Sequence, residues 1–261
     1  MRTPLVVTGL LVLGGGLAAQ SLERRIADAP DGDVRLTFTS REGVRGDGAG
    51  SISWGCGDDD CEHNMIRGRS GKRGICEEGP VRVRLRIRDR AVVDVDTYVG
   101  GDWDAAGSGT TDLGTVAAPV AARWLLDYAR RDRRSTGKEA ILPALLADSF
   151  TAWPTLLEIA RDRNVPESTR KSAVFWVGQA AEDAATNGLA ELVDASDEDR
   201  EVQESAVFAL SQRPRDEGVP VLLRVARTHR DPEIRRKAIF WLGQSGDPRA
   251  LAYFEEVLTR P

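Results

Sequence analysis

The sequence has few of the side chains that enzymes use for proton transfer. It contains only two histidines in 261 residues, His63 and His229, and they lie in different halves of the chain. No G-x-S-x-G, phosphate-binding loop or HExxH motif accompanies either of them. Because catalysis needs converging groups with matched pKa values, the sequence predicts a non-catalytic protein that uses no cofactor.

Lysine is also scarce. Only four of the 36 basic residues are lysines and the other 32 are arginines, a bias that codon preference explains more simply than selection at one site.

The formal net charge is −5, so the chain as a whole repels phosphate backbones at long range. We therefore expect no nucleic-acid partner.

Long apolar runs are missing except at the N terminus. There, Met1 and Arg2 precede an apolar stretch over residues 5–19, and charged residues follow at 23–25. This order is typical of a secretory signal, and the stretch is shorter than the roughly 20 residues that span a bilayer. We predict a signal peptide over residues 1–19 and a bacterial protein that is periplasmic or secreted, without stable membrane insertion after cleavage. An uncleaved anchor is the alternative.

The three cysteines, Cys56, Cys61 and Cys76, fall in a segment rich in glycine and aspartate. In an exported protein, two of them are expected to form a disulfide, and their spacing does not say which two. A zinc site that adds His63 is the alternative, but its spacing matches no common structural zinc finger. We predict a disulfide and no metal site, and we interpret the acidic run 58–60 as a solvated turn.

Apolar and polar residues alternate in the first half of the chain. The period is two in VRLTFTS (34–40), SISW (51–54), VRVRLRIR (81–88) and AVVDVDTYV (91–99), which is typical of antiparallel strands. We predict a β-rich domain with a cysteine-containing loop over residues 20–99. Residues 100–116 are rich in glycine, serine and threonine without a period, and we predict a linker there.

The last two of these segments predict a hairpin that neutralises its own arginines. With a three-residue loop at 89–91, the expected pairs are Ile87–Val93, Leu85–Val95, Val81–Val99, Arg86–Asp94 and Arg84–Asp96. Sheets that bind nucleic acid usually place stacking aromatics among the basic residues, and here only Tyr98 is available. We therefore interpret the arginine stripe as a solvated face of the sheet, with a polyanion site as the alternative.

The second half of the chain repeats itself about every 33 residues. Three similar segments place alanines at Ala173, Ala206 and Ala238, in steps of 33 and 32 residues, and a degenerate earlier copy places Ala140. A second set of helical patterns lies between these segments, so each period contains two helices. Such a repeat predicts an α-solenoid over residues 117–261, in which each unit buries its apolar face against its neighbours.

The segment DPEIRRKAIFWLGQSGDPRAL (231–251) resembles the bacterial HEAT-like repeat, including the short form found in phycobilin-lyase-type proteins. The resemblance extends over about residues 117–261. It implies right-handed stacking of helix pairs and a role in protein–protein association. The predicted fold class is thus an α+β multidomain protein, with a small antiparallel β-domain followed by an all-α HEAT-like solenoid.

A phenylalanine and a glutamine recur four residues apart on the second helix of each unit, where they are neighbours on one face. If the second helices line the concave surface, as the resemblance implies, these positions and the charged residue before them form a partner-binding surface. Its members are Lys171, Phe175, Gln179, Glu204, Phe208, Gln212, Arg236, Phe240 and Gln244. Alternatively, each phenylalanine fills the gap between second helices and each glutamine closes a helix end. Trp176 and Trp241 are predicted to lie in the core.

Together these patterns predict an exported, non-catalytic scaffold that binds a protein partner of unknown identity through the concave face of the solenoid. Two alternatives stay open. The first is a phycobilin-lyase-like enzyme or tetrapyrrole binder, which the resemblance alone suggests. The second is a cell-envelope sensor that binds a ligand through the β-domain.

Overall fold

The computed structural model describes residues 22–54, 65–66, 76–180 and 182–259 of the chain. It forms two compact units. The β-unit comprises the described residues up to Leu125 together with Leu142–Phe150, and the helical unit comprises Leu126–Ile141 and the described residues from Thr151 onward. The predicted signal peptide lies outside the described residues and stays a prediction.

The main sheet of the β-unit has four strands in the order β7-β6-β1-β8. They are β1 (Gly32–Phe38), β6 (Val81–Arg88), β7 (Ala91–Val99) and β8 (Thr110–Thr115). Strand β6 is antiparallel to both β1 and β7, whereas β8 runs parallel to β1. The predicted β-domain is confirmed, but its sheet is mixed rather than purely antiparallel.

Strand β8 lies inside the segment 100–116 that was predicted to be a linker, so that interpretation is wrong for residues 110–115. In β8 only Leu113 is buried, and the strand lies at the edge of the sheet. An edge strand with one buried apolar residue carries almost no alternation, which is why its sequence does not reveal it.

A second, smaller sheet consists of two-residue strands in the order β4-β3-β2-β5, all antiparallel. These strands are β2 (Arg45–Gly46), β3 (Ile52–Ser53), β4 (Met65–Ile66) and β5 (Glu77–Glu78). The unit also includes helix α1, which covers residues 22–27, and helix α3 (Ile141–Leu145), which belongs to it from Leu142 onward.

The β6–β7 hairpin keeps the predicted pairs except at its tip. Leu85 pairs with Val95, Val81 with Val99, and the two arginines with their aspartates, as expected. The turn, however, has two residues, Asp89 and Arg90, both with positive φ (52° and 58°), as a type I′ turn requires. The predicted three-residue loop is therefore wrong.

A bulge makes this shorter turn compatible with the predicted register. Ile87 pairs with Val92 rather than Val93, and the register shifts before Arg86 pairs with Asp94. The additional residue in β7 returns the following valines to the buried face. Without the bulge, a two-residue turn would place Leu85 opposite Asp94.

Three of the four arginines in the stripe on β6 bind partners from the same unit. Arg84 donates to the Asp96 carboxylate at 2.6 Å and Arg86 to the Asp94 carboxylate at 3.0 Å, which confirms the predicted charge pairing. Arg82 differs, because it is only 4% exposed. Its guanidinium donates to the Gly48 carbonyl at 2.8 Å and lies 4.9 Å from the centre of the Trp103 ring.

The helical unit follows the predicted two-helix period. Helix α2 covers Ala118–Arg131, and the boundary between the two units falls within it. The 3₁₀ helix Ser135–Ala140 follows. The remaining helices of the helical unit are α4 (Trp153–Arg161), α5 (Glu167–Gly178), α6 (Asp183–Asp194), α7 (Arg200–Ser211), α8 (Arg215–Thr228), α9 (Pro232–Ser245) and α10 (Pro248–Thr259). No helix among the described residues is both long and apolar enough to cross a bilayer.

Two layers of helices run through this unit. The first helices α4, α6 and α8 pack on the second helices α5, α7 and α9 that follow them, and the second helices pack side by side. The predicted anchors Ala173, Ala206 and Ala238 are all fully buried. A methyl side chain at each anchor lets neighbouring helices approach closely, which explains why alanine recurs there.

Helix α9 begins as its sequence predicts. Asp231 is the N-cap, and its carboxylate accepts a hydrogen bond from the Glu233 backbone N–H at 2.8 Å. The helix continues two residues beyond the expected end at Gly243, to Ser245, and Gly246 then closes it in the left-handed conformation.

Candidate protein-binding surface

The aromatic side chains of the second helices form a continuous row, which we call the aromatic ladder. Its members are Trp176, Phe175, Phe208, Trp241 and Phe240. Phe175 stacks on Phe208, with ring centroids 6.5 Å apart and 11° between the planes. Trp241 lies 5.0 Å from both Phe208 and Phe240, and Trp176 lies 5.0 Å from Phe175. The ladder thus connects α5, α7 and α9.

The ladder is exposed at its phenylalanine ends. Phe240 is 55% exposed and Phe175 is 39% exposed, whereas Phe208 is half-buried between its neighbours. Trp176 and Trp241 are also half-buried, so the prediction that they lie in the core is wrong. Each tryptophan follows a surface phenylalanine by 100° around the helix, which places it at the edge of the buried stripe.

The glutamines of the predicted surface all lie exposed at the C-terminal ends of the second helices. Gln179 and Gln212 are C-cap residues, and the backbone N–H of each bonds to carbonyls of the preceding turn. Gln244 lies within α9. Two of the three glutamines therefore close helix ends, and all three add exposed amide groups beside the ladder.

The charged members of the predicted surface have partners in the chain. Glu204 forms an ion pair with Lys237 at 3.0 Å, which links α7 to α9, and Lys171 lies 3.5 Å from Glu167. Arg236 pairs with Glu233, and this hydrogen bond lowers the pKa of the Glu233 carboxyl. Because these side chains are largely in contact with solvent, water screens the charges and each pair adds little to stability. They leave the flanks of the ladder nearly neutral.

A polar position three residues before each anchor alanine was missed in the sequence. It holds Arg170, Gln203 and Arg235 in successive units. The side-chain amide of Gln203 donates to the carbonyls of Val193 and Ala195 at 2.9 and 2.7 Å. These side chains form hydrogen bonds with carbonyl and carboxylate groups in the turns between helices. The recurrence of a long polar residue at this position could have indicated that structural role.

Arg170 is the most buried of the three. Its side chain is 3% exposed and donates to the Glu198 carboxylate at 2.6 Å and to the Asp199 carboxylate. Glu198 is itself only 5% exposed. The pair is therefore a desolvated ion pair that joins α5 to the turn before α7.

The one histidine among the described residues serves the fold. His229 is buried, its Nε2 lies 3.0 Å from the Val193 carbonyl, and its Nδ1 accepts the Asp231 backbone N–H at 3.1 Å. Over the described ranges, no group of three or more His, Cys, Asp and Glu side chains could hold a metal ion.

The predicted disulfide involves cysteines that lie mostly outside the described residues. Cys56, Cys61 and His63 lie outside the described residues, and Cys76 is half-buried. The disulfide therefore stays a prediction.

Comparison with known families supports the repeat assignment. A family model described as HEAT repeats matches residues 189–261, from α6 into the last helix. Repeats of this family often mediate protein interactions and are typically non-catalytic. No curated protein matches the chain. The C-terminal part of the chain thus contains a HEAT-like helical repeat, which follows the β-unit in the sequence.

Proposed function

We propose that this chain is an exported, non-catalytic scaffold that binds a protein partner along the aromatic ladder of its helical unit. The observation that carries the proposal is the exposure of Phe175 and Phe240 at the ends of a connected row of rings. Aromatic side chains with polar neighbours are enriched in protein interfaces and dominate binding energy there.

The stacking of the rings also favours binding. Phe208 and Trp241 hold each other at a centroid distance of 5.0 Å, so these side chains have little rotamer freedom left to lose when a partner binds. The neutral flanks of the ladder suit an interface as well, because interface cores are depleted of unpaired charge. Export rests on the signal peptide predicted from the N-terminal sequence.

The proposal is tested by affinity capture from envelope extracts with the mature chain. We compare it with a Phe175→Ser/Phe240→Ser variant and with Leu258→Ser. Leu258 is 83% exposed on α10, so its variant removes an exposed apolar side chain that is not part of the ladder. Phe208 is left in place because its half-buried ring lies between Phe175 of α5 and Trp241 of α9. Circular dichroism and thermal melting establish that every variant is folded.

We expect a specific protein to be retained by the parent and by the Leu258→Ser control, and to be lost with the ladder variant. Retention of the same protein by all three chains would place the binding surface elsewhere. Export is tested separately, by fractionation and by mass spectrometry of the mature N terminus. A full-length chain in the cytoplasm would contradict it.

A further inference from the structure

A cleft of about 200 Å³ opens where α7 ends, α8 begins and α9 ends. Its apolar lining consists of Leu210, Val219, Leu222 and Trp241, and its polar lining includes Arg215 and Gln244. Small-molecule sites usually measure about 300–1,000 Å³. The cleft is smaller than that range and suits a single side chain of a partner better than a cofactor.

Two positions at the cleft differ between successive repeats. Between α5 and α7, Gly178 lies against Ala209, so closely that a Cβ on Gly178 would be 2.9 Å from the Ala209 Cβ. The equivalent positions between α7 and α9 hold Ser211 and Trp241. Both of these larger side chains line the cleft.

The Arg215 side chain forms no hydrogen bond and no ion pair with a described residue, and its charge acts on the nearby Asp247 carboxylate only through space, where it lowers the pKa of that group. Among the described residues from 153 to 259, it is the one basic residue whose side chain makes neither a hydrogen bond nor an ion pair. The nearby Asp247 carboxylate is already held by the Arg249 guanidinium at 2.9 and 2.8 Å. The exposed Arg215 guanidinium is therefore available to a ligand, and its geometry matches a carboxylate.

The second arginine of the cleft is not available in this way. Arg213 is buried, and its guanidinium donates to the Glu217 carboxylate at 2.7 Å, to the Thr186 hydroxyl at 2.8 Å and to the Glu182 carbonyl at 3.0 Å. It fixes the wall of the cleft. Gln244, in contrast, is exposed and can present its amide beside Arg215.

The cleft is continuous with the aromatic ladder. Trp241 lines the cleft and also contacts Phe208 on one side and Phe240 on the other. Because the ladder continues on both sides of Trp241, a segment that covers it passes the cleft rather than ending there. This arrangement favours an internal segment of a partner over a chain terminus.

On the basis of the function proposed above, we propose that the cleft receives a large apolar side chain of the partner while Arg215 binds an adjacent Asp or Glu side chain. The recognised element is an internal segment in which a large apolar residue and an acidic residue are neighbours. Arg215 and Gln244 set the specificity, and the ladder contributes the larger contact area.

The test is a selection from a displayed library of random peptides, flanked by constant sequence on both sides so that no free C terminus is present. The targets are the mature chain, Arg215→Glu, Phe240→Ser and a control, Arg134→Glu. Arg134 is exposed and lies before the 3₁₀ helix, far along the chain from the cleft. Its variant changes the net charge by the same amount.

We expect the parent and the control to enrich peptides with an acidic residue next to a large apolar residue. Binding of a selected peptide should fall about tenfold or more in Arg215→Glu. Enrichment of the same acidic peptides by Arg215→Glu, together with their loss in Phe240→Ser, would overturn the cleft assignment and leave the ladder intact. Unchanged enrichment by Phe240→Ser would overturn the ladder itself. No enrichment, or enrichment only from a library with free C termini, would also overturn the proposal.

Discussion

Phe175 and Phe208, which occupy the same position of consecutive repeats, lie parallel and offset across the α5–α7 interface. A residue that contacts its own equivalent in the next unit stabilises the array. The two interpretations of these phenylalanines are therefore compatible, because the half-buried Phe208 fills a gap while Phe175 and Phe240 remain exposed.

The stacked pair should be energetically coupled. We expect the Phe175→Ala and Phe208→Ala substitutions to lower the free energy of unfolding non-additively, with a coupling of about 0.5–1.5 kcal/mol. Urea unfolding of the two single variants and the double variant measures it. The matched control is the pair Phe175 and Phe240, whose rings are not in contact and whose effects should add. Equal coupling in both cycles would contradict a direct ring contact.

Two glycines at equivalent positions should respond to alanine in opposite directions. A Cβ on Gly178 would lie 2.9 Å from the Ala209 Cβ, whereas at Gly243 the nearest atom is 4.0 Å away. We expect Gly178→Ala to lower the free energy of unfolding by about 1–2 kcal/mol, because α5 and α7 must separate. Gly243→Ala should raise it by about 0.5–1 kcal/mol through helix propensity. Urea midpoints with equal m-values measure both changes, and stabilisation by Gly178→Ala would refute the close approach.

The sequence was sufficient to predict those features that a regular pattern encodes. The anchors Ala173, Ala206 and Ala238 recur with the repeat and are buried, and the pairing of Arg84 with Asp96 follows from matching both faces of the hairpin. Features that depend on a single long-range contact were missed. Strand β8 exists because it pairs with β1, and Arg82 is buried because Trp103 covers it.

Of the nine residues predicted to form the partner-binding surface, seven lie within the second helices and Gln179 and Gln212 cap two of them, but periodicity does not reveal how deeply each side chain is buried. Helical spacing tells which way a side chain points from the helix axis but not how much of it is covered. The half-burial of Trp176 and Trp241 could therefore not be predicted. The cleft beside Trp241 was equally hidden. Its lining combines Ser211 of α7 with Trp241 of α9, a combination that no single repeat contains.

The hairpin turn holds an arginine in a left-handed conformation that favours glycine. Arg90 has a φ of 58°, and its backbone N–H points to the Asp31 carboxylate at 3.4 Å. We expect Arg90→Gly to raise the free energy of unfolding by about 0.5–1 kcal/mol. Asp89→Gly is the control and should gain less, because aspartate tolerates this conformation better. Thermal melting of the mature chain compares the two, and destabilisation by Arg90→Gly would contradict the turn geometry.

The buried ion pair between Arg170 and Glu198 should be sensitive to the loss of one partner. We expect Arg170→Met to cost about 3–5 kcal/mol, because it leaves the Glu198 carboxylate buried without its partner. Arg161→Met is the matched control. It breaks the exposed pair with Glu191, where both side chains are more than 40% exposed, and should cost less than about 1 kcal/mol.

A double variant, Arg170→Met/Glu198→Met, distinguishes a desolvated charge from lost packing. Removing both charges should recover much of the stability lost in Arg170→Met. Urea unfolding measures Arg170→Met, Glu198→Met and the double variant. A double variant that is as unstable as the sum of the single ones would indicate that the arginine acts through its packing alone.

Asp247 should make stability depend on pH in the acidic range. Its carboxylate accepts two hydrogen bonds from Arg249 and one from the Arg249 backbone N–H, and these bonds lower its pKa from 3.8 to about 2. A lowered pKa in the folded state means that the ionised form stabilises the fold. This contribution is fully present above the unfolded pKa of 3.8 and is lost as the pH falls toward 2.

We therefore expect the parent to melt at a higher temperature than Asp247→Asn near neutral pH, with the difference shrinking between pH 4 and 2. The pKa values of Asp162, Asp199 and Asp231 are also lowered by their hydrogen bonds, so the parent alone loses stability in acid for several reasons. The difference between parent and variant isolates Asp247, because the other carboxylates are common to both chains. A difference that stays constant down to pH 2 would show that Arg249 does not hold the ionised carboxylate of Asp247 at the start of α10.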